Sequence, residues 1–279
     1  MSRATAIDIE HTVSARQWRQ TIQLVGGWIA AFVVLLAALH TLGISATAIT
    51  GRMDRLWRIA GGMLRPASGG AFAELLGALA ESIGMAFLGT FLASIAASVF
   101  SMLGAKNINS LPWLRLPVRR CFDVIRGIDS LVWALIFVRA VGMGPLAGVL
   151  AIAASDTGTL SKLNADAIES TQKRQAEGVR AAGGHGLHVV RFGIIPQVIP
   201  AMLSNALYMF ESNVRSATIL GIVGAGGIGF QLSDRIRAHR WGEVSFIILM
   251  IIAAVFVIDQ LSRVIRRRFI QAGVQNTVI

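Results

Sequence analysis

Residues 175–196 form a polar island between strongly apolar stretches, and their chemistry-bearing groups are spaced: Glu177, Gly183 six positions on, then Pro196 thirteen further. A glutamate on a short helix accepts charge-assisted hydrogen bonds or favours the helix N-terminus. A glycine beyond it can take the left-handed conformation that ends the helix, and a proline has no donor to lose at a helix start. Ala176, Ala181, Ala182 and Gly183 supply a small-residue face, with Arg180 beside it. A helix of this kind fits a groove on a soluble partner, so its chemistry is docking rather than catalysis.

Three further groups invite chemistry. Gly224, Gly226, Gly227 and Gly229 meet the dinucleotide pattern G-x-G-x-x-G. That reading needs a buried strand before it and an acid about 20 residues after it. Here an apolar span precedes the run, and Asp234 and Glu243 stand at other distances. The glycines read instead as a flexible turn or gate element, where bare backbone is satisfied by water or protein. Arg139, Glu211 and Arg215 lie in or beside apolar spans, where a charge at a helix centre costs about 2.5–3.5 kcal/mol. Arg139 and Arg215 are expected toward the outer ends of their helices. Glu211 precedes Arg215 by four residues, which predicts an ion pair on one helical face. The arginines either snorkel as structural cations or line a vestibule that attracts an anion; with Asn213 and Ser216 they form the candidate substrate path. His185 and His188, at i, i+3 with no acid ligand nearby, make no metal site. The single Cys121 excludes an internal disulfide and reads as a packing residue.

The elements that must position these groups are membrane helices. Of 279 residues 54% are hydrophobic and 15% charged, with mean hydropathy +0.63, whereas soluble chains average about 25% charged. An all-α integral membrane protein with about six spans follows. The net charge of +11 gathers at the flanks of apolar runs, with little aromatic interleaving, which fits the positive-inside rule rather than a nucleic-acid surface. Residues 20–51 carry no Asp, Glu, Lys or Arg, ample for the ~20 residues that cross a bilayer. They are too long for a signal-peptide core, although Ala46 and Ala48 are spaced as at a cleavage site.

The second span, 75–103, carries small residues on two i, i+4 rows: Ala86, Thr90, Ser94, Ser98 and Gly89, Ala93, Ala97, Ser101. Such rows let backbones approach closely and predict a helix buried in the bundle. A third span, 128–141, and a fourth, ending near 160, flank the turn at Gly142, Gly144 and Pro145. The fifth begins after Pro196 or Pro200 and ends near Thr218, and the last covers 244–262. Six spans, or five if 128–160 is one broken hairpin, leave most of the 26 Lys and Arg on the N-terminus, the 104–126 loop, the 161–196 island and the tail. Those segments are therefore expected to be cytoplasmic. The expected organisation is a cytoplasmic segment 1–20; a first span and extracytoplasmic amphipathic segment 21–70, with Trp57 at the interface; a core 71–265 containing the coupling loop 161–196; and a cytoplasmic tail 266–279.

The island resembles the loop by which the membrane subunit of a bacterial ABC importer grips its ATPase: Glu-Ala-Ala, three residues, Gly, nine residues, Ile-x-Leu-Pro. Gly178 and Val179 replace the two alanines, Gly193 stands where isoleucine is usual, and Ile195 replaces the leucine. Trp133, Phe137, Arg139, Gly142, Gly144 and Pro145, together with the stretch from Tyr208 through Glu211, Asn213, Arg215, Ser216, Thr218 and Gly221 to Gly229, resemble the permease of phosphonate importers. That family extends to phosphite transport. The likeness covers roughly residues 74–265.

The resemblance implies a type I importer fold in the bacterial plasma (inner) membrane. The partners it implies are two ABC ATPase subunits, a second permease subunit (a copy or a sibling), an extracytoplasmic phosphonate-binding protein and the lipid bilayer, with no nucleic acid. It assigns ATP and Mg to the ATPase and no cofactor to this chain, which has no G-x-x-x-x-G-K-[ST] loop of its own. A tetrahedral oxyanion makes arginines near an entrance chemically sensible. A permease for another small solute, such as an amino acid, is permitted by the loop but disfavoured by the 211–229 stretch. A passive channel would leave the ATPase loop without purpose, and a membrane enzyme would need paired acids or a nucleophile triad at membrane depth.

Overall fold

The computed structural model describes residues 23–38, 40–41, 46–109 and 111–275, and the regular structure among them is helical. The chain divides into two units, Met1–Gly61 and Gly62–Ile279. In the first, α1 (Gln23–Ala38) is apolar and exposed, with Trp28, Phe32 and Leu35 along it. It is shorter than a full span, and the expected 1–20 segment lies outside the described residues. α2 (Ala46–Met63) is the amphipathic segment, and its Trp57 is exposed.

The second unit is built on α3 (Phe72–Gly104). Its row Gly89, Ala93, Ala97, Ser101 is wholly buried, and Ala86 and Thr90 of the other row are buried as well. The small side chains allow close contact: a Cβ on Gly89 would stand 2.7 Å from the Ile152 Cβ. Thr90, Ser94 and Ser98 donate their hydroxyls to carbonyls one turn back at 2.7 Å, so the row brings no unpaired donor into the bundle.

α4 (Pro112–Arg126) and α5 (Ser130–Val141) are separated only by Gly127–Asp129, and both lie along α6 (Pro145–Glu169). Their direction is antiparallel to it: Ile125 faces Gly158, Asp123 meets Lys162, and Arg119 meets Asp166. Asp129 caps α5, accepting from the Leu131 N–H at 2.8 Å. The expected third span is thus the upper part of a broken two-helix arm. The 104–126 segment expected as a loop holds a helix, because Phe122 packs inward, Arg119 finds two acids on α6 and Asp123 finds Lys162 there.

The 161–196 island also differs from expectation. α6 runs on to Glu169, and helix resumes at Gly186 to form α8 (Gly186–Ala225), leaving only 170–185 between them, with α7 (Lys173–Ala181) inside that interval. α8 passes through Pro196 rather than starting there. A proline in a regular helix clashes with the carbonyl four residues back, and here the turn before it, Val189–Ile194, is widened to i→i+5 spacing, which relieves the clash. α9 (Gly227–Arg237) runs back along the first half of α3, and α10 (Trp241–Gln275) completes the bundle.

Three helical stretches, Phe72–Gly104, Gly186–Ala225 and Trp241–Arg267, are long and apolar enough to cross a membrane by themselves. α5 reaches that length only together with α4. The fourth expected span is α6, whose Asp156, Lys162, Asp166 and Glu169 make it more polar than the others.

Candidate functional site

α7 is fastened to the start of α8. Gln197 accepts from the Gln172 N–H at 3.0 Å and donates to the Gly193 carbonyl at 2.6 Å, holding the residue before α7 against the widened turn. A Cβ on Gly193 would stand 3.0 Å from the Ala176 Cα, so glycine is what lets the two backbones touch. Ala176 is accordingly half-buried against α8 rather than on an open face. Gly183, at φ +84°, ends α7. Its N–H bonds the Arg180 carbonyl at 2.9 Å and the Gly184 N–H bonds the Val179 carbonyl at 3.0 Å, the double closure of a Schellman stop.

Glu177, Arg180, Gly183 and Pro196 are exposed. Around them, Lys173, Arg174 and Arg191 are exposed too, with Leu187 at 83% and Phe192 at 57% exposure, so Glu177 is an acid set among cations and bare apolar side chains. His185 and His188 lie 6.3 Å apart ring to ring. Among the described residues, no group of three His, Cys, Asp or Glu is placed to hold a metal ion.

At the other end of the bundle, the glycine run is packed, not loose. Gly221, Gly224, Gly227 and Gly229 are buried, and Gly224, Gly226 and Gly227 have positive φ. The end of α8 crosses the start of α9 backbone to backbone: a Cβ on Gly229 would stand 1.9 Å from the Thr218 carbonyl oxygen, and one on Gly221 2.7 Å from the Gly229 Cα. α3 then caps α9. Glu81 accepts from the Gly227 N–H at 3.1 Å and Ser82 from the Ile228 N–H at 2.9 Å, placing a carboxylate at the positive end of the helix. The expected flexible turn is thus a tight crossing, because side chains from α3 replace the water that would have satisfied it. The other end of α9 is held by Arg235, buried, with Glu243 at 3.2 Å and Glu74 at 3.8 Å.

The candidate path residues do not gather at one point. Arg139 is exposed in the last turn of α5, beside the turn whose Gly144 N–H bonds the Gly224 carbonyl at 3.0 Å, and it makes no ion pair among the described residues. The expected Glu211–Arg215 pair is not formed. Each residue bonds across to α10 instead, Glu211 with Arg266 at 3.4 Å and Arg215 with Asp259 at 4.0 Å. Asp259 lies one turn before Arg263 on α10, and Arg215 stands ten residues before the end of α8. An oppositely charged partner on α10 was available to each, Arg266 to Glu211 and Asp259 to Arg215, and it outcompeted the weaker contact along one helix. Ser216 is half-buried.

Asn213 is buried and engaged: its amide donates to Thr90 on α3 at 2.8 Å and to Asp156 on α6. Neither the Thr90–Asn213–Asp156 cluster nor the Glu81 and Ser82 caps were singled out from sequence. The available signal was an acid or hydroxyl inside an apolar run, which shows that a partner exists but not which one.

The sequence matches the family described as binding-protein-dependent transport system inner membrane component over residues 89–271. The chain belongs to that family. It is 34% identical over 252 residues to the phosphite transport system permease protein PtxC of Stutzerimonas stutzeri, covering 90% of each chain. It is 34% identical over 250 residues to the phosphate-import permease protein PhnE of Mycolicibacterium smegmatis, covering 88% of this chain and 45% of that one. Among solved structures, an inward-facing MetNI methionine ABC transporter aligns with TM-score 0.63 at 20% identity over 73% of this chain and 99% of that one, a likeness of fold. As a member of this family the chain is a multi-pass transport subunit, not an enzyme in its own right.

Proposed function

We propose that this chain is the permease of an ATP-driven importer that moves a phosphonate, or a related phosphorus oxyanion such as phosphite, into the cytoplasm. The observation that carries the substrate class is the 34% identity to a phosphite permease over nine-tenths of both chains. Two ATPase subunits supply the energy with their own ATP and Mg, a second permease subunit completes the path, and an extracytoplasmic binding protein delivers the anion. Both termini and α7 face the cytoplasm, in keeping with the distribution of Lys and Arg.

In this reading α7 is the docking helix, with Glu177 and Arg180 toward the ATPase. Gly193 and Gln197 tie α7 to α8, the Asn205 amide donates to Asn164 and ties α8 to α6, and the Arg119 ion pairs to Asp166 and Glu169 tie α6 to α4, so the four helices act as one mechanical body. Closure of the ATPases therefore moves α8, and with it the crossing at Gly221 and Gly229. Arg139 draws the anion toward the mouth, and Arg215, half-exposed and as far as 4.0 Å from its acid, can exchange Asp259 for an oxyanion. Glu211, Asn213 and Ser216 set the polarity and spacing of the same stretch of α8, and Gly224, Gly226, Gly227 and Gly229 carry the gate.

The test is competition: the complete transporter, reconstituted in vesicles, is given a labelled phosphonate with unlabelled phosphite, phosphate or methionine in excess. Suppression by phosphorus anions and not by methionine is expected, whereas suppression by methionine alone would reassign the chain to amino-acid import.

A further inference from the structure

Where the apolar part of α3 stops, the bundle carries a second charged feature, of which the transport reading uses only the Arg119 ion pairs. A cleft of about 280 Å³ opens between α4, the end of α3 and α6, lined by Lys106, Arg115, Arg119, Arg120 and Lys162 together with Asp123. Its floor is apolar, made by Phe122 and Ala165, with Leu116 on its rim.

The cations are not fully compensated. Asp123 is shared between Lys162 and Arg120, the latter at 3.6 Å, while Arg119 takes Glu169 at 2.8 Å and Asp166 at 3.3 Å. Lys106 stands 4.0 Å from the same Glu169 with its side chain 60% exposed. Arg115 makes no ion pair among the described residues. Five cations thus meet three carboxylates, and of the arginines Arg115, without an ion pair among the described residues, and Arg120, with its side chain 76% exposed, can present planar forks to an incoming oxyanion.

A second, independent feature says where this cleft lies. No Asp, Glu, Lys or Arg occurs in residues 82–105, and Lys106 is the first charge after that run. A hydrocarbon core takes ~20 helical residues, so Lys106 and the cleft stand at the level of the lipid phosphates. Beside it, α4 carries exposed apolar side chains along its outer surface: Trp113 is 72% exposed, Leu116 54% and Val124 66%. A cationic cleft flanked by an exposed tryptophan and aliphatic side chains matches a phosphate joined to acyl chains better than a free ion.

We propose that this cleft is a binding site for the phosphate headgroup of an anionic phospholipid, held by Arg115 and Arg120 with its chains along Trp113, Leu116 and Val124. The lipid bridges α4 to α6 through Arg120 and Lys162, and so braces the arm that leads to α7. The site is separate from the transport path, and its occupancy does not depend on which solute is carried.

The experiment is native mass spectrometry of the purified full-length chain, titrated with phosphatidylglycerol, with phosphatidylcholine, and with inorganic phosphate as competitor. One phosphatidylglycerol is expected to bind at least tenfold more tightly than phosphatidylcholine. Arg115→Gln with Arg120→Gln should abolish that preference, while Arg58→Gln on α2 should keep it. Millimolar inorganic phosphate should leave the bound lipid in place. Equal binding of the two lipids, or an unchanged preference in the double variant, would overturn the site. Displacement by phosphate at low concentration would overturn the lipid assignment in favour of a soluble oxyanion. Circular dichroism of the double variant separates loss of the site from loss of fold.

Discussion

Ala176 of α7 rests on Gly193 of α8, so closely that a Cβ on the glycine would stand 3.0 Å from the alanine Cα. The docking loop typical of ABC importer permeases carries isoleucine at this position; in this chain glycine takes its place and brings the two backbones together. Substituting isoleucine should push α7 away from α8 without touching the bundle. ATP-driven uptake is expected to fall by at least tenfold in Gly193→Ile, with the protein still inserted and with ATP hydrolysis by the assembled transporter no longer stimulated by the binding protein. Wild-type uptake in that variant would show that the contact does not transmit force.

Glycines that look alike in sequence differ sharply in consequence. Gly229→Ala drives a Cβ to 1.9 Å from the Thr218 carbonyl and should prevent the α8–α9 crossing, giving little folded protein in detergent. Gly77→Ala, on α3 with nothing within 4 Å, should be neutral or gain up to ~1 kcal/mol from reduced backbone freedom. Size-exclusion profiles of the two variants check the contrast.

The Asn213 amide is the partner that Asp156 has on α8, and Thr90 completes the tie among three helices. Asn213→Leu leaves a buried carboxyl without that donor, a loss of roughly 1.5–3 kcal/mol for a hydrogen bond to a charged group. A drop in Tm of about 5 °C or more is expected in a thermal-shift assay, and Asp156→Asn combined with Asn213→Leu should recover part of it. A fully additive double variant would show that the two side chains are not coupled.

Much of the architecture was legible because it rests on composition and period. The small-residue rows of α3 identified its buried face, since only Gly, Ala and Ser allow α6 to approach as closely as Ile152 does at Gly89. Gly183 could be read as a helix stop because its conformational freedom is a property of the residue alone. What sequence could not supply was pairing. Glu211 and Arg215 are neighbours on one helix, yet each found a partner on α10 that no spacing rule indicates. The glycine run was read as flexible because Glu81 and Ser82, which cap it, lie more than a hundred residues away. Likewise the charged 104–126 segment resembled a loop until α6 provided the acids that hold it as a helix.

Arg215 is held by its acid only loosely, with Asp259 4.0 Å away. Arg215→Gln should raise the KM for phosphonate about tenfold, the loss of roughly one charge-assisted hydrogen bond, with a smaller effect on maximal uptake. Asp259→Asn should leave the arginine freer and lower KM or leave it unchanged. A KM insensitive to Arg215→Gln, measured over a full concentration series, would remove that residue from the path.

The most direct test is ATP-dependent uptake of a phosphonate into vesicles containing this chain, its ATPase and its binding protein, compared between wild type and Glu177→Arg. Uptake in the wild type that requires the ATPase, and its loss in the variant with the protein still inserted, is the predicted result. Uptake that continues without the ATPase, or that ignores the reversal of charge at Glu177, would contradict an importer driven through α7.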